Sequence, residues 1–238
     1  MSTSDLPPVM LLDLDDTILA YNDGADVCWQ QVCARYGPQV SCDGPALQAA
    51  IRAYADWHWS DPQRHREGRL DIRKARAHII TEAIRTLGHD RPELGLQMSQ
   101  EFTDLREELM KPFPQAVETL AVFKDRGVRM ALLTNGNAAT QRSKIRRWDL
   151  EQYFELIVIE GEFGCGKPEP RVYRHALHQL RVSPADTWMV GDNLDWDVAA
   201  PQQLGIFGVW NDFLRTGLPQ NTTVRPDRIV HHISDLLD

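Results

Sequence analysis

Short apolar runs bounded by turn-forming residues recur along this chain at 9–12, 128–133, 156–159, 187–190 and 206–210. Runs this short and this apolar suit strands buried on both faces. Between them, apolar residues return at helical spacing. Ala116, Leu120 and Phe123 form one stripe, with Gly127 as a stop, and Val172, Ala176 and Leu180 form another. A basic helix is expected over 138–148 and a further helix over 197–204, before Gly205. Strands that alternate with helices imply a parallel sheet joined by right-handed crossovers, hence an α/β fold.

One interval breaks that rhythm. Roughly 120 positions separate Asp13 from Thr134, whereas a parallel crossover needs only about a dozen or more residues. Residues 21–110 carry helical patterning alone, in the sets Val27-Trp29-Val32 and Leu47-Ile51-Tyr54, then from Ile72 to Leu87 and from Leu94 to Leu109. Pro112 and Pro114 mark the return. This pattern predicts an inserted four-helix bundle or cap at 21–110, hinged near 21–24 and 110–114, within a core formed by 1–20 and 111–238. The apolar stripes of the insertion are expected to form its own core, because an amphipathic helix must bury one face.

Composition narrows the class of protein. With 238 residues, 42% hydrophobic and 25% charged, the chain has material for one large domain plus an insertion. Its formal net charge of −8 repels polyanions, so nucleic acid and anionic membrane are not the expected partners. No apolar run approaches the ~18 residues of a membrane span. The first eight residues lack a basic start and an apolar signal segment, which predicts a cytoplasmic location. The four cysteines, at 28, 33, 42 and 165, form no Cys-x-x-Cys pair and read as free thiols. No His-Glu-x-x-His arrangement points to zinc.

The chemistry concentrates where strands end. Asp13-Leu14-Asp15-Asp16-Thr17 follows the first apolar run directly. Gathered carboxylates repel one another in a partly desolvated place, so such a cluster needs a cation or a phosphate-handling site to compensate it. In extended chain, Asp13 and Asp15 point to one side and Asp16 to the other. Leu133-Thr134-Asn135-Gly136 closes the second core strand with small hydrogen-bonding groups suited to cradling an anion. Gly166-Lys167-Pro168 puts a lysine in a tight loop, and Gly191-Asp192-Asn193-Leu194-Asp195-Trp196-Asp197 delivers a second acidic cluster. Each of these alone also suits an ordinary turn or helix cap. Their combination is more telling, because open parallel sheets bind ligands at the carboxyl ends of strands, where strand order reverses. If the fourth strand returns beside the first, Asp13 and Asp192 become neighbours.

In these four motifs and their order the sequence resembles the haloacid dehalogenase-like hydrolase superfamily, and the helical insertion is similar to that family's first-type cap. The resemblance implies a Rossmann-like parallel sheet flanked by helices and a magnesium-dependent phosphohydrolase. It implies that Asp13 is a nucleophile forming an aspartyl-phosphate, and that Asp15 is the general acid and base, protonated when substrate binds. It also implies a Mg2+ ion held by Asp13, the Asp15 backbone carbonyl and Asp192. Thr134, Asn135 and Lys167 would bind phosphoryl oxygens, while Asp197 orients Lys167 or a metal-bound water and Asn193 supports it.

A dehalogenase on the same core is the nearest alternative, but that branch lacks an aspartate matching Asp15. A phosphotransferase and a phosphorylated receiver without turnover are the others. The expected substrate is a small phosphorylated metabolite such as a nucleotide or sugar phosphate, taken by a monomer or homodimer. Within the insertion, Trp57, Trp59, Arg64 and His65 are candidates for contacting it, against the alternative of bundle core followed by a solvated basic loop.

Overall fold

The computed structural model describes residues 6–237, so the first five positions of the segment read for a leader lie outside it. Six parallel strands form one sheet: β1 (Val9–Leu12), β2 (Arg129–Thr134), β3 (Leu156–Ile159), β4 (Thr187–Gly191), β5 (Phe207–Asn211) and β6 (Arg228–Val230). Their order is β3-β2-β1-β4-β5-β6. The chain therefore runs outward over β1, β2 and β3, then crosses back to set β4 beside β1. Leu12 lies level with Leu132 on one side and Val190 on the other. All four residues of β1 are buried, as a strand covered on both faces requires.

Helices α1 (Ala25–Tyr36), α2 (Gly44–Ser60), α3 (Pro62–Leu70), α4 (Ile72–Thr86) and α5 (Pro92–Leu109) fill the insertion. The chain separates into two compact units, one of them Tyr21–Met110 and the other the sheet with its own helices. The helical unit has a core of its own, including Val32, Leu47, Ile51, Ile80, Ile84, Met98 and Phe102. It contains five α-helices where the pattern predicts four. The extra helix is α3, in the basic stretch with Arg64 to Arg66. Asp61 makes it by accepting from the Arg64 N–H at 2.8 Å with Pro62 as first residue, although its face is too polar to show an apolar stripe.

The sheet unit carries α6 (Ala116–Asp125), α7 (Ala138–Arg147), α8 (Glu160–Phe163), α9 (Pro170–Leu180) and α10 (Ala200–Gln202). Val172, Tyr173, Ala176, Leu177 and Leu180 of α9 bury one stripe against Leu11, Leu133 and Met189 of the sheet. The helix expected over 197–204 starts earlier, as a π-helical segment across Leu194–Ala199 leading into α10. Asn193 is the reason, since its side-chain oxygen accepts from the otherwise orphaned N–H groups of Asp195 and Trp196. All four cysteines are free. Among the described residues, no helix is long and apolar enough to cross a membrane.

Candidate active site

Because β1 and β4 are hydrogen-bonded neighbours, the acidic tips that follow them arrive together. The Asp13 N–H donates to the Val190 carbonyl at 2.9 Å, extending the pairing one residue past the strand. Asp13, Asp192 and Asp197 each present a carboxylate oxygen within 4.8 Å of the others. Asp13 and Asp197 are buried, and Asp192 is half-buried.

Lys167 is the cation within this group. Its side chain is 2% exposed, and its ammonium lies 2.8 Å from Asp13 Oδ1 and 2.6 Å from Asp197 Oδ1. Burial alone would drive the proton from such a lysine, but the two carboxylates hold its pKa above the ordinary value. The loop carrying it is fastened by Asn135, whose amide nitrogen donates to the Lys167 carbonyl at 2.7 Å while its oxygen accepts from the Lys167 N–H at 2.8 Å. Gly166 leaves the room for that clamp, because a Cβ there would sit 2.3 Å from Asn135 Oδ1. At Gly191 the constraint is similar, with a Cβ falling 2.2 Å from the Asp197 carboxyl carbon.

Asp197 is held further by the Asn193 N–H, which donates to its second oxygen at 3.0 Å, and it returns its own N–H to the Asn193 carbonyl at 2.7 Å. The Asp192 carbonyl accepts from the Trp210 indole at 2.7 Å. Three clustered carboxylates and one ammonium leave two negative charges unopposed when all are ionised. Burial raises the pKa of Asp13, opposed by Lys167. It raises that of Asp192 as well, with Asp13 and Asp197 adding to the effect. A divalent cation supplies the missing charge, and carboxylate oxygens are the donors that magnesium takes. The residues present therefore fit such an ion.

Asp15 is positioned apart from this trio. Lys144 Nζ donates to both of its oxygens at 2.7 Å, and Gln141 Nε2 donates to Oδ2 at 3.0 Å. Gln141 also donates to the Thr134 hydroxyl at 2.6 Å, so one side chain ties the second motif to the first. Both Gln141 and Lys144 are buried beside Ile145 on α7. In the sequence this stretch shows only as a basic helix. Its missed signal is the i, i+3 spacing that puts the pair on the face opposite to Arg146 and toward the sheet. Glu160 carries no sequence signal either, and its carboxylate accepts from the Gly136 N–H at 3.0 Å in the turn after β2.

In the helical unit, Trp59 is the one of the four candidates that lines a cavity there. Arg64 instead donates to the His58 and Trp57 carbonyls at the end of α2, at 3.1 and 2.7 Å, with its guanidinium 4.0 Å from the exposed Trp57 ring. His65 packs edge-on against Trp59.

Comparison with known proteins supplies independent findings. The family model for haloacid dehalogenase-like hydrolases matches residues 8–205. A phosphoserine phosphatase of Thermus thermophilus is 37% identical over 153 residues, covering 64% of this chain and 59% of its own length. The chain thus spans less than two thirds of that relative. A glyceraldehyde 3-phosphate phosphatase of Methanopyrus kandleri is 27% identical, covering 81% of this chain and 85% of its own. Among solved structures, Bacillus subtilis YfnB, determined with magnesium bound, superposes with a TM-score of 0.73. At 18% identity over 96% of both chains, it shares the fold.

Proposed function

The chain belongs to the haloacid dehalogenase-like hydrolases, and from that premise we propose that it hydrolyses a small phosphomonoester through an aspartyl-phosphate on Asp13, with magnesium as cofactor. The observation that carries this reading is the acidic group of Asp13, Asp192 and Asp197, whose oxygens lie close enough to hold one divalent cation and whose charge Lys167, paired with Asp13 and Asp197, only partly offsets. The phosphatases among the relatives support a small phosphorylated substrate. In this reading the sheet unit is catalytic and the Tyr21–Met110 unit is an inserted cap.

A magnesium ion would be held by Asp13 and Asp192, with the Asp15 carbonyl completing the protein ligands. Its positive charge, when bound, favours phosphoryl oxygens beside an anionic nucleophile. Asp197 is committed to Lys167 and the Asn193 N–H, so its role is to hold the lysine.

The steps assigned to this chain's own residues are these. An Asp13 oxygen attacks phosphorus, the bond from phosphorus to the leaving oxygen breaks, and Asp15 gives that oxygen a proton. Asp15 then takes a proton from water as the water attacks phosphorus, and the bond to Asp13 breaks to restore the carboxylate. Lys167, 2.8 Å from Asp13, opposes the charge that grows on the phosphoryl oxygens as they reach it. Lys144 and Gln141 aim the Asp15 carboxyl, and Gln141 fixes the Thr134 hydroxyl at the same time.

The test is Asp13→Asn assayed with p-nitrophenyl phosphate and Mg2+. Phosphate release should fall by more than about a thousandfold, while the melting temperature stays near that of the parent protein. Turnover like that of the parent protein would remove Asp13 from the role of nucleophile.

A further inference from the structure

A second accumulation of charge, of opposite sign, lies within the helical unit alone, formed by the buried Arg106 and the half-buried Arg76. A cavity of about 310 Å³ there is lined by Tyr21, Trp29, Trp59, Arg76, Phe102 and Arg106, among others. Trp29 is fixed by stacking on the buried Phe102, with ring centroids 4.1 Å apart, and with Trp59 it gives the cavity an aromatic wall. Against that wall stand two guanidinium groups. Arg106 is only 8% exposed, and its Nη2 has no hydrogen-bond partner. Arg76 donates to the Thr103 hydroxyl at 2.8 Å and also bonds Tyr21.

Among the described residues, neither arginine forms an ion pair with a carboxylate. The other charged residues of the lining, Arg52 and Asp26, are paired with each other at 2.8 Å. Burial pushes the Arg76 guanidinium below its ordinary pKa, and the neighbouring Arg106 charge adds to that shift. Ring faces offset part of the cost, since Arg106 lies 4.3 Å from the Tyr21 centroid and Arg76 4.6 Å from that of Phe102. A ring face accepts no hydrogen bond at the edge of the guanidinium, however, and an orphaned charged donor is costly to bury. The planar fork of arginine matches the paired oxygens of a carboxylate or phosphate.

We propose that this cavity binds a small organic anion, its oxyanion head group taken by Arg106 and Arg76 and its apolar body lying against Trp29 and Trp59. The site uses residues of the helical unit only and stands whether or not the acid cluster hydrolyses phosphate.

Isothermal titration of the full chain with 3-phenylpropionate, phenylphosphonate and the uncharged 3-phenylpropionamide tests it. At least one of the two anions should bind saturably, and at least tenfold more tightly than the amide. Arg106→Gln should weaken the anion at least tenfold and leave the amide unchanged, whereas Arg91→Gln, on the exposed pair with Glu93, should leave both unchanged. Thermal melting checks the fold of each variant. If the glutamine variant does not fold, Arg106→Lys keeps the charge but loses the fork, and it should still weaken the anion severalfold. The proposal is overturned if the amide matches the anions, if the folded Arg106 variant binds like the parent, or if neither anion gives saturable heat at millimolar concentration. Asp13→Asn lies outside this unit, so failure there bears on phosphate hydrolysis and not on the cavity.

Discussion

The sheet edge and the helical unit both gather like charges in buried or half-buried places, and they differ in how that charge is balanced. At the sheet edge, Asp13, Asp192 and Asp197 present carboxylate oxygens within 4.8 Å of one another, and a single buried ammonium pairs with two of them, Asp13 and Asp197. In the helical unit, Arg76 bonds the Thr103 hydroxyl and both Arg76 and Arg106 lie against ring faces, while the one carboxylate of the cavity lining, Asp26, is paired with Arg52. The first group carries two more negative charges than positive ones when all are ionised, a balance that one divalent cation would complete. In the second, no carboxylate among the described residues pairs with either guanidinium. Buried charge left unopposed marks a place where something else must bind, and its sign says what kind of thing.

The sharpest way to break the comparison is to remove the internal cation of the sheet edge. Lys167→Met should lower kcat for p-nitrophenyl phosphate by about a hundredfold or more. It should also destabilise the protein by about 3–5 kcal/mol in urea unfolding, because two buried carboxylates lose their partner. A stability near that of the parent would mean that Asp13 and Asp197 do not depend on the lysine.

A smaller effect is expected at Asp15. Lys144→Met should lower kcat by about tenfold to a hundredfold and alter the pH profile, with KM little changed. Lys144→Arg should recover part of the loss, and an unchanged pH profile would assign Lys144 to structure only.

The smallest effect concerns protons and metal. The Asp13 and Asp192 carboxyls are raised by burial, so the folded chain keeps protons that the unfolded chain releases above about pH 4. Their contribution to stability is thus present at low pH and is lost as pH rises through their folded values. In chelator, melting temperature should fall by a few degrees between pH 5 and 8, and Mg2+ should restore it at pH 8. Asp192→Asn should flatten the trend, and an identical slope in that variant would remove Asp192 as its source.

How much of this was legible in the sequence follows from where each signal lies. Strands β1 to β5 announce themselves as apolar runs, and the motif residues follow them directly, so their meeting place needs only the strand order. Strand β6 has three residues, among them Arg228, and is too short and too polar to carry a pattern. Helix α3 is equally polar, with its start written only in Asp61 and Pro62. Lys144 and Gln141 look like surface residues of a basic helix, and only the packing of α7 shows that they face Asp15. Asn135 is visible as a motif residue, but its clamp on Lys167 joins positions 32 apart in sequence. Arg76 and Arg106 belong to two different helices and resemble solvated charges on amphipathic faces, so no local spacing links them to Trp29 or Tyr21.

The most direct test of the central claim is to look for the covalent intermediate. The protein, turning over a phosphate ester with Mg2+, would be quenched in acid, digested and mapped by mass spectrometry. A phosphoryl group on the peptide that begins the acidic turn, located to Asp13 and removed by hydroxylamine, is the predicted result. Steady turnover with that peptide unmodified at every quench time, or with the phosphoryl group on another residue, would contradict it.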